Sequence, residues 1–145
     1  MMKRSATANW HGKHSQGSGS LSTQSSVLAD APYSFEARFQ EGESSHTNPE
    51  ELLAAAHAGC YAMSLGYALE QAGMKVERID VQATVSLSEM EGGFEISGIH
   101  LDVSASVPGL SAADFAQVAE AAKALCPLSL ALYSTPTTLL ATLGD

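Results

Sequence analysis

The chain has 145 residues, which is enough for one domain with a hydrophobic core and too few for two independent ones. Its 7 lysine and arginine residues against 16 aspartate and glutamate residues give a formal net charge of −9, which argues against nucleic acid as a partner. Hydrophobic residues make up 45% of the chain, but no uninterrupted apolar stretch reaches the roughly 18 residues of a membrane span. We therefore expect a soluble protein without a membrane partner.

The first 26 residues combine a charged start with a glycine- and serine-rich segment. Met1–Arg4 begins like a signal peptide, but the polar stretch Ser5–His11 stands where an apolar region should follow, so we expect a cytoplasmic location. Gly17–Ser20 is typical of a flexible arm. The spacing of Trp10 and Leu21 equally permits two short strands joined by a glycine-rich hairpin.

A strand and a long helix are expected next. Apolar and polar residues alternate over Tyr33–Phe39, which predicts a half-buried strand with Arg38 on its polar side. Thr47–Glu51 is a helix-start signal, with a proline at an early helical position and a glutamate that can close a capping box. The helix should run from about Pro49 to Ala72. Its apolar and small residues face all directions, which predicts burial by a surrounding sheet or by a second subunit.

A β-hairpin follows the long helix. Apolar and polar residues alternate from Val76 to Pro108 on both sides of the turn Glu91–Gly93. The apolar positions change parity near Gly98, which indicates a β-bulge, because one extra residue turns all later side chains to the opposite face. We expect two long strands with one irregularity in the second.

Two helices and a strand complete the chain. Ser111 caps an amphipathic helix that runs up to Cys126. Pro127 cannot continue that helix without a kink, but it suits the first turn of a new helix that ends near Tyr133. Thr135–Leu143 is the expected final edge strand. Because the strands come in groups instead of alternating with helices, the pattern predicts an α+β fold in a single domain over residues 1–145.

Two cysteines are the residues most able to carry chemistry. In a reducing compartment they serve catalysis, metal binding or burial more often than a permanent disulfide. Cys60 lies within the apolar long helix, where it is either a small core residue or a reactive thiol. Cys126 stands at the N-cap of the helix that Pro127 begins, where backbone N–H groups favour a thiolate, and simple burial at the kink is the alternative.

Arg38 and Glu50 have ordinary explanations as well as functional ones. Arg38 is either solvated or part of a site, and Glu50 can be present for helix capping alone. Glu50 and Cys60 are ten residues apart, hence about 15 Å apart along one straight helix. A site that contains both requires that the helix unwinds near its start or that a partner subunit supplies the glutamate.

A zinc site is an alternative use of the same cysteines. His57 precedes Cys60 by three residues and lies on roughly the same helix face. Together with Cys126 and His46, these side chains could hold a tetrahedral zinc ion. The chain has no Cys-x-x-Cys motif, and histidine–cysteine pairs at this spacing arise often by chance. A packed helix histidine is the competing interpretation.

The segments Thr47–Cys60 and Cys126–Ser129 resemble the OsmC/Ohr family of thiol peroxidases. An Asn-Pro-Glu helix opening, a cysteine ten residues after the glutamate and a second cysteine followed by proline form a specific combination. The resemblance extends from about Ala8 to the Cys126 region and looks more like the OsmC branch. It implies an intertwined homodimer in which an antiparallel sheet wraps around a long buried central helix, with residues 1–26 as an arm or hairpin of one OsmC-like domain.

The resemblance also implies a role for each candidate residue. Cys60 matches the peroxidatic cysteine of the family, and Cys126 matches its resolving cysteine. Arg38 and Glu50 match the arginine and glutamate that position and activate the first thiolate. The implied enzyme has no metal and no bound cofactor.

The implied reaction is the reduction of organic hydroperoxides and, more weakly, of hydrogen peroxide. The Cys60 sulfenic acid would condense with Cys126 to a disulfide. An external dithiol would reduce that disulfide, with the dihydrolipoamide of lipoylated proteins as the family precedent. Tyr61, Met63 and Leu128 are expected to line an apolar pocket. The alternatives are a non-enzymatic, ligand-binding stress protein and a zinc-binding protein that uses His57, Cys60 and Cys126.

Overall fold

A computed structural model describes residues 1–42 and 44–144 and divides the chain into two units, Met1–Leu52 and Leu53–Asp145. Within the described residues, each unit holds one three-stranded sheet. Strands occur in groups and helices separate the groups, so the predicted α+β class is confirmed.

The first unit contains an antiparallel sheet in the order β1-β2-β3. Its strands are Ala6–His11 (β1), Ser18–Thr23 (β2) and Ala31–Ser34 (β3). The first two form the predicted hairpin, with a 3₁₀ turn in the connection. A Cβ atom on Gly19 would lie 1.9 Å from the Asn9 carbonyl oxygen, so only glycine permits this close strand approach.

The predicted strand over Tyr33–Phe39 is wrong beyond its second residue. The chain turns into a helix, Phe35–Phe39 (α1), directly after β3. The Ser34 hydroxyl caps this helix by accepting a hydrogen bond of 3.1 Å from the Ala37 amide. The ring centroids of Phe35 and Phe39 are 4.7 Å apart, because positions four residues apart meet on one helix face. Alternation places the same two rings on one side of a strand, so the pattern fits both structures.

The long helix occupies Pro49–Gln71 (α2), close to its predicted bounds. The Asn48 side chain caps it by accepting a hydrogen bond of 2.9 Å from the Glu51 amide. The Glu51 carboxylate in turn accepts a bond of 2.8 Å from the Thr47 hydroxyl. Glu51 therefore takes part in the cap, while the neighbouring Glu50 remains available for another contact.

One face of α2 is buried and the opposite face is exposed within this chain. The fully buried positions recur at every fourth residue and are His57, Tyr61, Leu65 and Leu69. On the other side, Met63 is 79% exposed and Tyr67 is 65% exposed. One copy of the chain thus does not provide the burial on all sides that the composition of the helix predicts.

By length and composition, α2 is also a candidate membrane span, with a mean hydropathy of 1.3 over its most apolar window. The core helix of a soluble protein meets the same criteria. Alanines and glycines contribute many of the helix positions. The feature alone therefore does not indicate a membrane protein.

The second unit is built on the predicted hairpin. Its strands are Arg78–Met90 (β4), Gly93–Ser106 (β5) and Thr137–Leu143 (β6), in the order β4-β5-β6. Ser86 pairs with Gly98 and Leu87 with Ile96, so the register shifts where the bulge is predicted. The edge position of β6 is confirmed, because β6 pairs with β5 and ends the sheet.

The pairing of β6 differs from the antiparallel sheet that the resemblance implies. β6 runs parallel to β5, from Ile99 opposite Thr137 to Ala105 opposite Leu143. Parallel neighbours need a long crossover connection, which is commonly helical. Two helices, Ala112–Leu125 (α3) and Pro127–Ala131 (α4), provide that connection here.

The core of the second unit lies between its sheet and its helices. The Ser111 hydroxyl caps α3 through the Asp114 amide, at 3.1 Å, as the sequence predicts. Buried residues of α2, β5 and α3 form one hydrophobic cluster that includes Tyr61, Leu65, Leu101, Val103, Phe115, Ala119 and Cys126. The second cysteine is thus part of this core.

Candidate active site

The two cysteines face each other in the second unit. Cys60 comes from α2, and Cys126 stands at the junction between α3 and α4. Their sulfur atoms are 3.3 Å apart and both thiols are free. A disulfide has a sulfur–sulfur distance of about 2.05 Å, so the sulfurs must approach by only about 1.3 Å to bond. The pair can therefore close a disulfide with small local movement.

Cys60 is held mainly in its thiol form within the second unit. Burial raises the pKa of the Cys60 thiol above its ordinary value, and contact with Cys126 raises it further. The Leu128 amide acts in the opposite direction but does not compensate.

Cys126 is the more acidic member of the pair. Burial acts to raise the pKa of Cys126, but the Ser129 amide, the Cys60 thiol, the Ser129 hydroxyl and the Leu128 amide together lower it. The sulfur makes no capping hydrogen bond of full geometry. The amides of the second and third residues of α4 nevertheless lower its pKa, as the N-cap position of Cys126 predicts.

Arg38 and Glu50 form an ion pair in the first unit. The Arg38 Nε donates to Glu50 Oε1 at 3.0 Å and to Oε2 at 3.1 Å, and Nη2 donates to Oε1 at 2.7 Å. The Glu50 carboxylate is largely buried, so the paired geometry is well shielded from water. Arg38 lies in the last turn of α1, not on the polar side of a strand. Glu50 binds an arginine instead of capping its helix.

The zinc alternative finds no support in the geometry. No group of three or more histidine, cysteine, aspartate or glutamate side chains able to hold a metal ion occurs in residues 1–42 and 44–144. The His57 Nε2 atom is engaged by the Ser129 hydroxyl at 2.9 Å. His57 is instead a fully buried helix residue, which is the competing interpretation of the sequence.

The expected apolar pocket around Cys60 needs correction. Tyr61 is fully buried, and its hydroxyl donates to the Ala119 carbonyl at 3.0 Å, so it belongs to the core. Met63 is largely exposed on the other face of α2. Leu128 acts on both cysteines, but through its amide and not as an apolar wall. The sequence-based prediction placed all three side chains in the pocket because they are apolar, and hydrophobicity alone does not indicate which face of a helix a residue occupies.

A cavity of about 240 Å³ lies beside Arg38 within the first unit. Aromatic side chains form much of its wall, among them Trp10, Tyr33 and Phe35. The Trp10 and Tyr33 ring centroids are 5.3 Å apart and tilted by 52°, a favourable aromatic contact. The cavity offers an apolar surface next to a guanidinium group.

Two contributors near the sulfurs have no role in the sequence-based prediction. They are Ser129, through its hydroxyl and amide, and the Leu128 amide. The usable signal is their position, because the second and third residues of a helix have amides without an intrahelical partner. A cysteine immediately before such a helix therefore has these amides within reach.

The chain is similar to proteins of one family. A family model described as OsmC-like protein matches residues 42–140. The peroxiredoxin OsmC of Escherichia coli strain K12 is 46% identical over 125 residues, which are 86% of each chain. The organic hydroperoxide resistance protein of Xanthomonas axonopodis pv. citri is 30% identical over 57% of each chain. A solved organic hydroperoxide resistance protein from Elizabethkingia anophelis has a TM-score of 0.72 at 23% identity, over 100% of this chain and 97% of that chain.

Proposed function

The chain belongs to the OsmC-like family, and we propose that it is a cysteine-based peroxidase that reduces organic hydroperoxides and, more weakly, hydrogen peroxide. The observation that carries the proposal is the 3.3 Å approach of the Cys60 and Cys126 sulfurs. The names of the relatives, peroxiredoxin and organic hydroperoxide resistance protein, describe the same chemistry.

The reaction uses the two sulfurs in sequence. The Cys60 thiolate attacks the terminal peroxide oxygen, the O–O bond breaks, and the alcohol leaves after taking up a proton. Cys60 is then a sulfenic acid. Condensation with Cys126 forms the disulfide and releases water. An external dithiol restores both thiols by exchange, and we propose dihydrolipoamide on a lipoylated protein as that donor.

We propose that the Arg38–Glu50 pair activates Cys60. Burial raises the pKa of Cys60, so a reactive thiolate needs a compensating positive charge. Glu50 fixes the guanidinium through three hydrogen bonds, which supports a positioning task. Since α2 is continuous over Pro49–Gln71, the helix does not unwind near its start. This supports the other alternative, in which a partner subunit supplies the glutamate.

The aromatic cavity beside Arg38 supports organic hydroperoxides as the preferred substrates. Its apolar wall can bury an alkyl or aryl group while the peroxide oxygens lie near the guanidinium. Hydrogen peroxide has no such group to bury. We therefore expect the preference to appear in kcat/KM.

We further propose a homodimer in the cytoplasm. The exposed Met63 and Tyr67 form an apolar face on α2 that a second copy would cover, as the helix composition predicts. The match to the family model, over residues 42–140, runs through both units, which supports one OsmC-like domain for the whole chain. Tyr67→Glu should convert a dimer to a monomer in sedimentation, whereas Gln82→Glu on the exposed face of β4 is the matched control.

Mass spectrometry tests the chemistry directly. The reduced protein is treated with one equivalent of cumene hydroperoxide and then mapped by peptides. We expect the loss of two hydrogens and a Cys60–Cys126 linkage. Cys126→Ser should consume about one peroxide per chain and stop at sulfenic acid, and Cys60→Ser should consume none. Two free thiols in the treated wild type would contradict the peroxidase and leave the ligand-binding alternative.

A further inference from the structure

A chain of hydrogen-bonding groups leads from a buried histidine to the cysteine pair. The His57 Nε2 atom lies 2.9 Å from the Ser129 hydroxyl oxygen. Ser129 is the third residue of α4, whose N-cap is Cys126, and its hydroxyl and amide lower the pKa of Cys126. The Cys126 sulfur lies 3.3 Å from that of Cys60. The proposed peroxidase cycle uses the two sulfurs and assigns no task to His57 or Ser129.

Packing alone does not explain why a histidine is buried at position 57. The side chain is fully buried, and its Nδ1 atom has no hydrogen-bond partner among the described residues. A buried nitrogen without a partner destabilises the folded state, so an apolar side chain would suit this place better if packing alone mattered. The contact with Ser129 is the feature that an apolar residue could not reproduce.

The direction of the hydrogen bonds follows from the donors available. Burial lowers the pKa of His57, so the ring is neutral near neutral pH and carries one proton. Ser129 has a single hydroxyl proton, and a thiolate can only accept. If Ser129 donates to the Cys126 thiolate, its oxygen accepts from His57 Nε2–H. The proton is then absent from Nδ1, which avoids a buried N–H without an acceptor.

The need for Ser129 is greatest after peroxide has reacted. When Cys126 of the reduced pair ionises, the Cys60 thiol can donate to the thiolate, which lowers the pKa of Cys126. Once Cys60 carries an oxygen, that S–H donor no longer exists. The Tyr61 hydroxyl also interacts with Cys126. Tyr61 stays protonated, because burial, Glu120 and Cys126 all raise its pKa. The Ser129 hydroxyl and the neighbouring amides are left to hold the thiolate.

We propose that His57 and Ser129 are positioning residues that hold the Cys126 thiolate for attack on the Cys60 sulfenic acid, a role that rests on the proposed function. In this step the Cys126 sulfur forms a bond to the Cys60 sulfur, and the Cys60 S–O bond breaks. Cys126 is oxidised and the sulfenic sulfur is reduced. The leaving hydroxide takes up from the solvent the proton that Cys126 released on ionisation, so the net product besides the disulfide is water. Ser129 orients the thiolate, His57 orients Ser129, and neither is consumed.

Single-turnover quench experiments on the full chain separate the two chemical steps. Dimedone trapping measures the formation of Cys60 sulfenic acid, and the loss of two hydrogens measures disulfide formation. Ser129→Ala should not slow the first step, because a less stable Cys126 thiolate leaves more of the shared charge on Cys60. It should slow the second step about tenfold and move its pH profile to higher pH, as expected for losing one bond to a charged group. Ser129→Thr, which keeps the hydroxyl, should restore the wild-type rate and profile.

Histidine variants test the contact between His57 and Ser129. His57→Gln, whose amide can still donate, should slow disulfide formation less than His57→Leu. His100→Gln is the matched control, because His100 also contacts a hydroxyl, that of Thr138 at 2.6 Å, but is exposed on β5. Equal effects of the three variants, or an unchanged second step in Ser129→Ala, would overturn the positioning role.

A second measurement separates this proposal from the peroxidase itself. In a Cys60→Ala background, the pH dependence of Cys126 alkylation by iodoacetamide should move to higher pH when Ser129→Ala is added. An unchanged profile would show that Ser129 does not stabilise the Cys126 thiolate, whatever the peroxidase assays show. If the profile moves but wild-type protein forms no disulfide with hydroperoxide, the proposed function fails, and the resolving role fails with it.

Discussion

Replacing each cysteine by alanine should move the pKa of the other thiol, and the two shifts should have opposite signs. Cys126 raises the pKa of Cys60 through its hydrogen bond and its charge, so Cys126→Ala should lower the pKa of Cys60. The Cys60 thiol lowers the pKa of Cys126 by donating to it, so Cys60→Ala should raise the pKa of Cys126. Two independent thiols would show neither shift.

The distance between the sulfurs sets the size of the coupling. Two unit negative charges separated by 3.3 Å repel by about 5 kcal/mol at an effective dielectric constant of about 20. That energy lowers the population of the doubly charged pair by nearly four orders of magnitude, at about 1.36 kcal/mol for each factor of ten. The reduced wild type should therefore carry one thiolate per chain over a wide alkaline range.

Thiolate absorbance near 240 nm, titrated against pH, measures this count. The native wild type should show one step, followed by a second that is well separated, while protein unfolded in guanidinium should release both protons together. Alkylation resolved by mass spectrometry assigns each step to its cysteine. Overlapping steps in the native protein, or shifts of the same sign in the two variants, would refute the coupling.

Three further results are expected. Arg38→Met should raise the pKa of Cys60 and slow peroxide attack at neutral pH; an unchanged alkylation profile would remove Arg38 from the site. Tyr61→Phe removes the side-chain donor of the Ala119 carbonyl, which lies within α3, and should lower the free energy of unfolding by about 1 kcal/mol and the melting temperature by about 3 °C; differential scanning calorimetry measures both, and an unshifted transition would contradict the bond. Because the pKa of His57 is lowered in the folded state, the unfolded chain binds its proton first as pH falls below about 6.5, so stability should decrease there; urea titrations should find this slope smaller in His57→Gln, and an equal slope would exclude His57 as its source.

Elements with a strong local signal could be predicted from the sequence to within a few residues. α2 has both a proline-glutamate start and a glycine end, and the structure gives it the bounds Pro49–Gln71. The hairpin and its bulge follow from the change of parity near Gly98, since only an added residue can turn the later side chains around.

Other elements needed information that lies outside the local pattern. Phe35 and Phe39 satisfy alternation and helical spacing equally, and the Ser34 cap decides between them. The residues of β6 do not indicate its direction, since apolar and polar residues alternate in a strand whether its neighbour is parallel or antiparallel. The signal lies in the connection, because α3 and α4 between consecutive strands make the crossover that parallel pairing requires.

The site was predictable as a set of residues but not as an electrostatic arrangement. Spacing and resemblance identify Cys60 and Cys126, and the structure brings their sulfurs together. The sequence indicates helix amides near Cys126, but it does not reveal that the negative charge is more favourable on Cys126 than on Cys60. That preference depends on where backbone dipoles point, which is a property of the fold.

Because of this electrostatic arrangement, the proposed mechanism requires an additional positive charge near Cys60. Within the second unit the negative charge belongs on Cys126, yet the first step needs it on Cys60. An added positive charge at Cys60 would reverse the preference, and Arg38 is the proposed source. Arg38→Met and Cys126→Ala should therefore shift the pKa of Cys60 in opposite directions. If Arg38 acts by charge, its substitution should still raise that pKa when Cys126 is already alanine; if the shift vanishes in the double variant, Arg38 acts only by displacing the proton between the two sulfurs.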